Sequence, residues 1–344
     1  MKRSRVMHLV PGVGLCLAIA IAASVADALG KSISRGAGLD ALVLAILLAA
    51  AVRGFHEPGT RLLPGIDFSA RILLEVSVAL LGLSISLHRI AEAGLSLLGI
   101  IVSVVLVSII ASYVICRLLG IGRHMAALIA CGNAICGNSA IAAIAPAIRA
   151  SREDVVSAIT FSAILGVAVV VYLPLLIPFF DLADREYGIL AGLTIYAVPQ
   201  VLAATAPAGL QAVQIGTTVK LIRVLLLGPV VMVMSALAAR HRAGQPDGAV
   251  VPSGWRGTLV FTRMFPPFIL AFLMLATLST MGFIPTSFAA GALTIHKALA
   301  LVAMAGLGLS VDLRLLFQIS GRLTLAVTGS LLVLIAISLA AIRL

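Results

Sequence analysis

Charge is scarce in this chain. Only 11% of its 344 residues are Asp, Glu, Lys or Arg, while 61% are hydrophobic. Soluble domains carry roughly a quarter charged residues, so a water-soluble enzyme or binding module is excluded as a class. Aromatic residues are few at 5%, with a single tryptophan, Trp255. No basic patch interleaves with aromatics, which argues against nucleic acid as a partner despite the net charge of +11. The four cysteines, Cys16, Cys116, Cys131 and Cys136, all fall in apolar stretches. There they are small polarizable hydrophobes rather than a disulfide framework. Cys131 and Cys136 lie about 140° apart on a regular helix and lack the further Cys or His partners of a zinc site, so no metal or cofactor is expected.

Asparagine is almost as scarce as tryptophan. Asn133 and Asn138 are the only two, both in the phrase Cys131-Gly132-Asn133-Ala134-Ile135-Cys136-Gly137-Asn138-Ser139. Amides at membrane depth cost free energy unless a polar partner needs them. Gly132 and Gly137 supply backbone freedom beside them. The phrase therefore reads as a helix opened to hold a ligand, or as hydrogen bonding between closely packed helices.

What is abundant is apolar runs. A mean hydropathy of +1.19 and repeated runs of about 20 residues predict an all-α polytopic membrane protein. Spans are expected near 8–28, 38–53, 69–88, 93–117, 124–148, 153–179, 187–206, 215–239, 259–281, 289–311 and 322–342, about eleven transmembrane helices within one domain covering 1–344. The one sizeable linker is about 240–257. Basic residues that include Arg53, Arg117, Arg123, Arg240 and Arg322 then cluster on one side. By the positive-inside rule the N-terminus is cytoplasmic and the C-terminus periplasmic. Gly82-Leu83-Ser84 is echoed by Gly308-Leu309-Ser310 seven spans later, as an inverted repeat would produce.

Interrupted helices point to the site in such folds. One is the asparagine phrase. The other is Thr194-Ile195-Tyr196-Ala197-Val198-Pro199-Gln200, where Pro199 frees carbonyls beside the Gln200 amide. Lys297, beside His296, falls about 12 Å into its span and needs an anion, a partner or water, unless it snorkels. Lys220 and Arg223 open the eighth span and fit an anion vestibule or a simple interface. Glu75 is the one carboxylate well inside a span, with Arg71 four residues before it as a default ion-pair partner. Scarce acids disfavour cation exchange, and helix N-termini, lysine and amides suit an anion.

The Cys-Gly-Asn phrase at 131 to 143, Ala191-Gly192 with Gln200-Val201, the run Thr218-Val219-Lys220-Leu221 with Arg223-Val224-Leu225-Leu226, Phe265-Pro266-Pro267-Phe268 and Ala303 to Leu309 together resemble the YeiH-type sulfate exporter family. The resemblance covers nearly the whole chain. It implies a bacterial inner-membrane secondary transporter related to the bile-acid symporter and cation-proton antiporter superfamily, with inverted repeats and interrupted, crossing helices. Where many members carry a polar Ile-His-Asp-like string, this chain reads Ile195-Tyr196-Ala197-Val198-Pro199-Gln200, which puts proton coupling in doubt.

The expected function is alternating-access transport of a small anion, such as sulfate, sulfite or an organosulfonate. Asn133, Asn138, Ser139, Gly132, Gly137, Tyr196, Pro199 and Gln200 would form the site, with Lys297 compensating charge and Lys220 and Arg223 in the vestibule. Partners are the anion, a coupling ion (Na+ or H+) and the lipid bilayer, and a homodimer is compatible with the sequence. A sodium- or proton-coupled organic-anion transporter and an anion channel are the alternatives. An enzyme is not expected, because Ser139 lacks an evident base.

Overall fold

The computed structural model describes residues 2–33, 40–84, 94–242, 267–311 and 321–343. The linker beyond residue 242, Trp255 and Phe265-Pro266 lie outside the described residues. All regular structure among the described residues is helical. In chain order the elements are α1 (Lys2–Ile33), α2 (Ala41–Phe55), α3 (Leu63–Phe68), a π-helical turn (Ser69–Leu73), α4 (Leu74–Leu81), α5 (Gly94–Leu118), α6 (Arg123–Ala134), α7 (Asn138–Ile148), α8 (Arg152–Tyr172), α9 (Leu176–Phe180), α10 (Asp184–Thr194), α11 (Val198–Thr205), α12 (Leu210–Leu225), α13 (Leu227–Arg242), α14 (Pro267–Thr280), α15 (Thr286–Ser310) and α16 (Gly321–Arg343). Among the described residues, six helical stretches are long and apolar enough to cross a bilayer: His8–Gly30, Ser96–Leu118, Arg152–Phe180, Leu210–Ala238, Phe288–Ser310 and Gly321–Arg343.

Two groups of helices pack side by side. In one, α15 lies against α1, α2, the π-helical turn and α4, with α14 on α4. Small residues set these approaches: a Cβ on Gly308 would sit 2.4 Å from the Ile46 carbonyl oxygen, and one on Gly65 2.2 Å from that of Leu9. In the other group α5 packs on α6 and α16, α10 on α12, and α8 on both interrupted pairs. The groups meet where α11 touches α2, α4 and α15 and where α8 touches α2.

The two interrupted stretches, 124–148 and 187–206, double back in the structure rather than continue. Tyr187 Oη, near the start of α10, donates to the Ala204 carbonyl near the end of α11 at 2.8 Å. Seventeen residues of continuing helix would hold those groups about 25 Å apart, so α11 returns along α10. The packing of α10 on α12 agrees. Gly188 lies against Ala212 and Gly192 against Gly216, matched steps of four in one direction, so these helices run parallel and the chain between them must double back. The first pair behaves likewise. Gly132 of α6 lies against Ile141 of α7, and Arg123 and Arg149, at the far ends of the pair, line one cavity.

Both interruptions are therefore the tips of helical hairpins. Helix α8 joins their bases. It leaves the base of the first hairpin at Arg152 and ends, about 30 Å on, near the base of the second. Midway along it, Ser162 meets the first tip at Gly137, and Gly166 meets Gln200 of the second hairpin. The hairpins thus enter from opposite ends of α8 and meet near its middle.

Candidate functional site

Each hairpin must dispose of carbonyls at the end of its entering helix, because the last carbonyls of a helix have no partners within it. At the first tip the Gly137 amide donates to the Gly132 carbonyl (2.9 Å) and the Ile135 amide to Cys131 (3.1 Å). Gly137 has φ +67°, and a Cβ there would lie 2.4 Å from Ser162 Oγ, so glycine is required both by conformation and by space. At the second tip the Ala197 amide is capped by Gln200 Oε1 at 3.1 Å, with Pro199 in the first turn of α11, where its missing N–H costs nothing.

Two cations from α12 join the tips. Lys220 Nζ donates to the carbonyls of Ile135 and Ile195, each at 2.5 Å. Arg223 donates through Nε to Ala134 O and through Nη2 to Asn133 O, both at 2.9 Å. Its Nη1 donates to Gly192 O at 2.9 Å and also to Leu193 O. Both side chains are 0% exposed. Cations at helix C-termini oppose the macrodipole, and here one arginine and one lysine serve two C-termini at once. Sequence reading leaves a vestibule or a simple interface open for them, and in the structure they join the two tips. The available signal was their spacing of three, which sets both on one face of α12.

Asn133 completes the joint. Its Nδ2 donates to Ser330 Oγ of α16 (2.6 Å), and its Oδ1 accepts from Tyr196 Oη of the second tip (3.0 Å). Ser330 Oγ in turn donates to Val327 O at 2.9 Å. Asn133, Tyr196 and Gln200 are buried, and a Cβ on Gly166 would lie 2.4 Å from Gln200 Nε2. These amides are engaged inside the protein. Nothing in the sequence singled out Ser162, Gly166 or Ser330 as their partners.

Asn138 and Ser139 differ. Both are exposed, and they open α7, whose N-cap, Gly137, makes no side-chain capping bond. Just inside, Cys136 is buried. The structure therefore brings together Gly132, Asn133, Gly137, Tyr196, Pro199, Gln200, Lys220 and Arg223, with Asn138 and Ser139 at the open edge. Lys297 stands apart. It is exposed on α15, and among the described contacts none joins it to the tips. Its neighbour His296 is buried, with Nδ1 2.8 Å from Ser77 O. Among the described residues no cluster of three His, Cys, Asp or Glu side chains could hold a metal ion.

The family model "Conserved hypothetical protein 698" matches residues 11–327. The chain belongs to this family. A UPF0324 membrane protein of Bradyrhizobium diazoefficiens is 49% identical over 99% of this chain and 94% of its own length. One from Brucella suis is 47% identical over 100% of this chain and 98% of its own length. The UPF0324 membrane protein TauZ of Paracoccus denitrificans is 34% identical, covering 93% of each chain. The YeiH-type resemblance agrees with this membership. No solved structure matches the chain. In this UPF0324 membrane protein both hairpin tips and their cationic joint lie within the matched region.

Proposed function

We propose that this protein is a secondary active transporter of a small anion, working by alternating access in the bacterial inner membrane, with the open edge of the first hairpin as the binding site. The observation that carries the reading is the joint of Lys220 and Arg223 between two hairpin tips. Two helix C-termini present about one negative elementary charge between them. The Arg223 guanidinium balances that, and Lys220 donates to one carbonyl of each tip. Beside the joint the N-terminus of α7 aims backbone amides outward. An oxyanion would bind the amides of Asn138 and Ser139 with their side chains, while Lys220 acts through the tip.

The hairpins also suit a bilayer. Their doubling back sets Arg149 and Arg152 on the same face as Arg117 and Arg123, where a single pass would have put them on the opposite one. That concentrates basic residues on one side and supports a cytoplasmic base for the first hairpin. The second then enters from the periplasm, the inverted arrangement that transporter repeats produce. Nine crossings and two re-entrant hairpins follow, in place of eleven crossings. Exchange of access would come from the hairpin group moving against the group around α15, along the contacts of α11 and α8. Sulfate, sulfite and organosulfonates are the substrate class, and export is the direction implied by the YeiH-type resemblance.

Flux into or out of proteoliposomes tests this. Asn138→Ala with Ser139→Ala is expected to reduce saturable anion exchange by at least about tenfold, one lost charge-assisted hydrogen bond of roughly 1.5–3 kcal/mol. Unchanged flux of the transported anion would overturn the site. Unitary current steps in place of saturable exchange would favour a channel.

A further inference from the structure

Along the first hairpin, from its base up to Cys131, a cavity of about 890 Å³ opens between α5, α6, the end of α7 and α13. Its wall is mostly apolar, with Ile109, Ile110, Met234 and Leu237 along it. One end is basic, carrying Arg123, His124 and Arg149. We infer that this cavity holds an anionic glycerophospholipid of the inner leaflet, its phosphate on Arg123 and Arg149 and its acyl chains along the apolar wall.

Four observations support this occupant. The volume lies within the roughly 300–1,000 Å³ of sites that enclose a sizeable ligand. The division into one cationic end and one apolar wall matches an amphiphile rather than a free inorganic anion, which would gain nothing from the wall. Neither Arg123 nor Arg149 has a side-chain partner among the described residues, whereas Lys220 and Arg223 are fully engaged. Finally, Arg149 ends α7 at φ +54°, ψ +45°, a left-handed conformation that glycine or asparagine adopts at less cost. An arginine held there delivers its guanidinium to the cavity against the backbone preference. Arg123 opens α6 after Gly122, an N-cap with no side-chain capping bond, so first-turn amides face the same end. Basic pockets between helices on the cytoplasmic side are suited to anionic headgroups. The inference rests on the membrane placement proposed above, but not on the anion site at the tips. A bound lipid would brace the base of the first hairpin against α5 and α13.

Native mass spectrometry of the full-length protein in detergent tests it, with phosphatidylglycerol and phosphatidylcholine of identical chains. The wild type is expected to retain phosphatidylglycerol in preference. Arg123→Gln with Arg149→Gln should weaken that binding about 30-fold, the effect of two arginines at an anionic surface. Ile110→Trp, on the exposed wall, should weaken both lipids, and Arg185→Gln, at the base of the other hairpin, should change neither. Arg149→Gly relieves the backbone, so it should melt no lower than wild type yet lose part of the preference. Equal retention of both lipids by the wild type would overturn the inference, as would a preference that survives the double arginine change. Complete displacement by glycerol phosphate would overturn it too, by showing a soluble-anion site. None of these outcomes depends on flux through the tips.

Discussion

The two hairpins solve one problem in opposite ways. Each must end a helix inside the protein and start another. The second closes on itself: Gln200 caps the Ala197 amide, Tyr187 ties the entering arm to the returning one, and every residue from Tyr187 to Tyr196 is buried. The first is closed only on its entering side, where Arg223 and Ser330 hold Asn133. Its returning helix starts uncapped, with Asn138 and Ser139 exposed. The two asparagines of one phrase, five residues apart, thus take different parts. Asn133 builds the joint and Asn138 faces out of it, so equivalent chemistry in the sequence divides into structure and binding.

The largest effect should come from the shared joint. Arg223→Leu strands four carbonyls around a buried site and is expected to cost about 3–5 kcal/mol, read as a large fall in melting temperature or loss of folded protein. Next is Gly137→Ala, which forces a left-handed alanine against Ser162. It should cost about 2–4 kcal/mol from conformation and overpacking together. Part of that should return in a Ser162→Gly background, whereas the same alanine at Gly122 should be nearly silent because open space surrounds it. Asn133→Ala should cost about 1–3 kcal/mol by leaving the buried Tyr196 hydroxyl without its acceptor and Ser330 without its donor. A double-mutant cycle with Tyr196→Phe should show coupling of about 0.5–3 kcal/mol. Asn138→Ala should change stability by less than about 0.5 kcal/mol, as an exposed substitution does, while reducing anion flux. If Asn133 and Asn138 variants behaved alike, the division between the hairpins would be wrong. Smallest is Lys297→Gln, expected to leave flux within about twofold because it is exposed on α15, apart from the tips.

Much of this architecture is legible in the sequence, and the gaps have physical causes. Apolar runs predict the helices well, since burial in lipid is written in composition. Both interruptions are also marked, one by amides and glycines, the other by Pro199. Direction is not marked. A helix that breaks and continues and one that breaks and returns have the same hydropathy, and only the Tyr187–Ala204 bond and the parallel glycine contacts of α10 and α12 distinguish them. The clue that was present is length: each arm is 8 to 12 residues, too short to span alone, although the paired arms total one ordinary span. Lys220 and Arg223 were visible as charges near a helix start, but their carbonyl partners come from segments 25 to 90 positions away, a separation no local pattern encodes. For Lys297 the sequence offered depth but not facing.

The most direct measurement is the melting temperature of the purified protein as a function of anion concentration, because a ligand that binds only the folded state raises it. Wild type, Asn133→Ala and Asn138→Ala with Ser139→Ala would each be titrated with sulfate, sulfite and an organosulfonate. The expected result is that at least one anion stabilises the wild type. Asn133→Ala should start lower yet keep the anion-dependent rise, and the Asn138/Ser139 variant should start near wild type and lose it. An undiminished rise in the Asn138/Ser139 variant, or no rise with any anion in the wild type, would contradict an anion site at the open edge of the first hairpin.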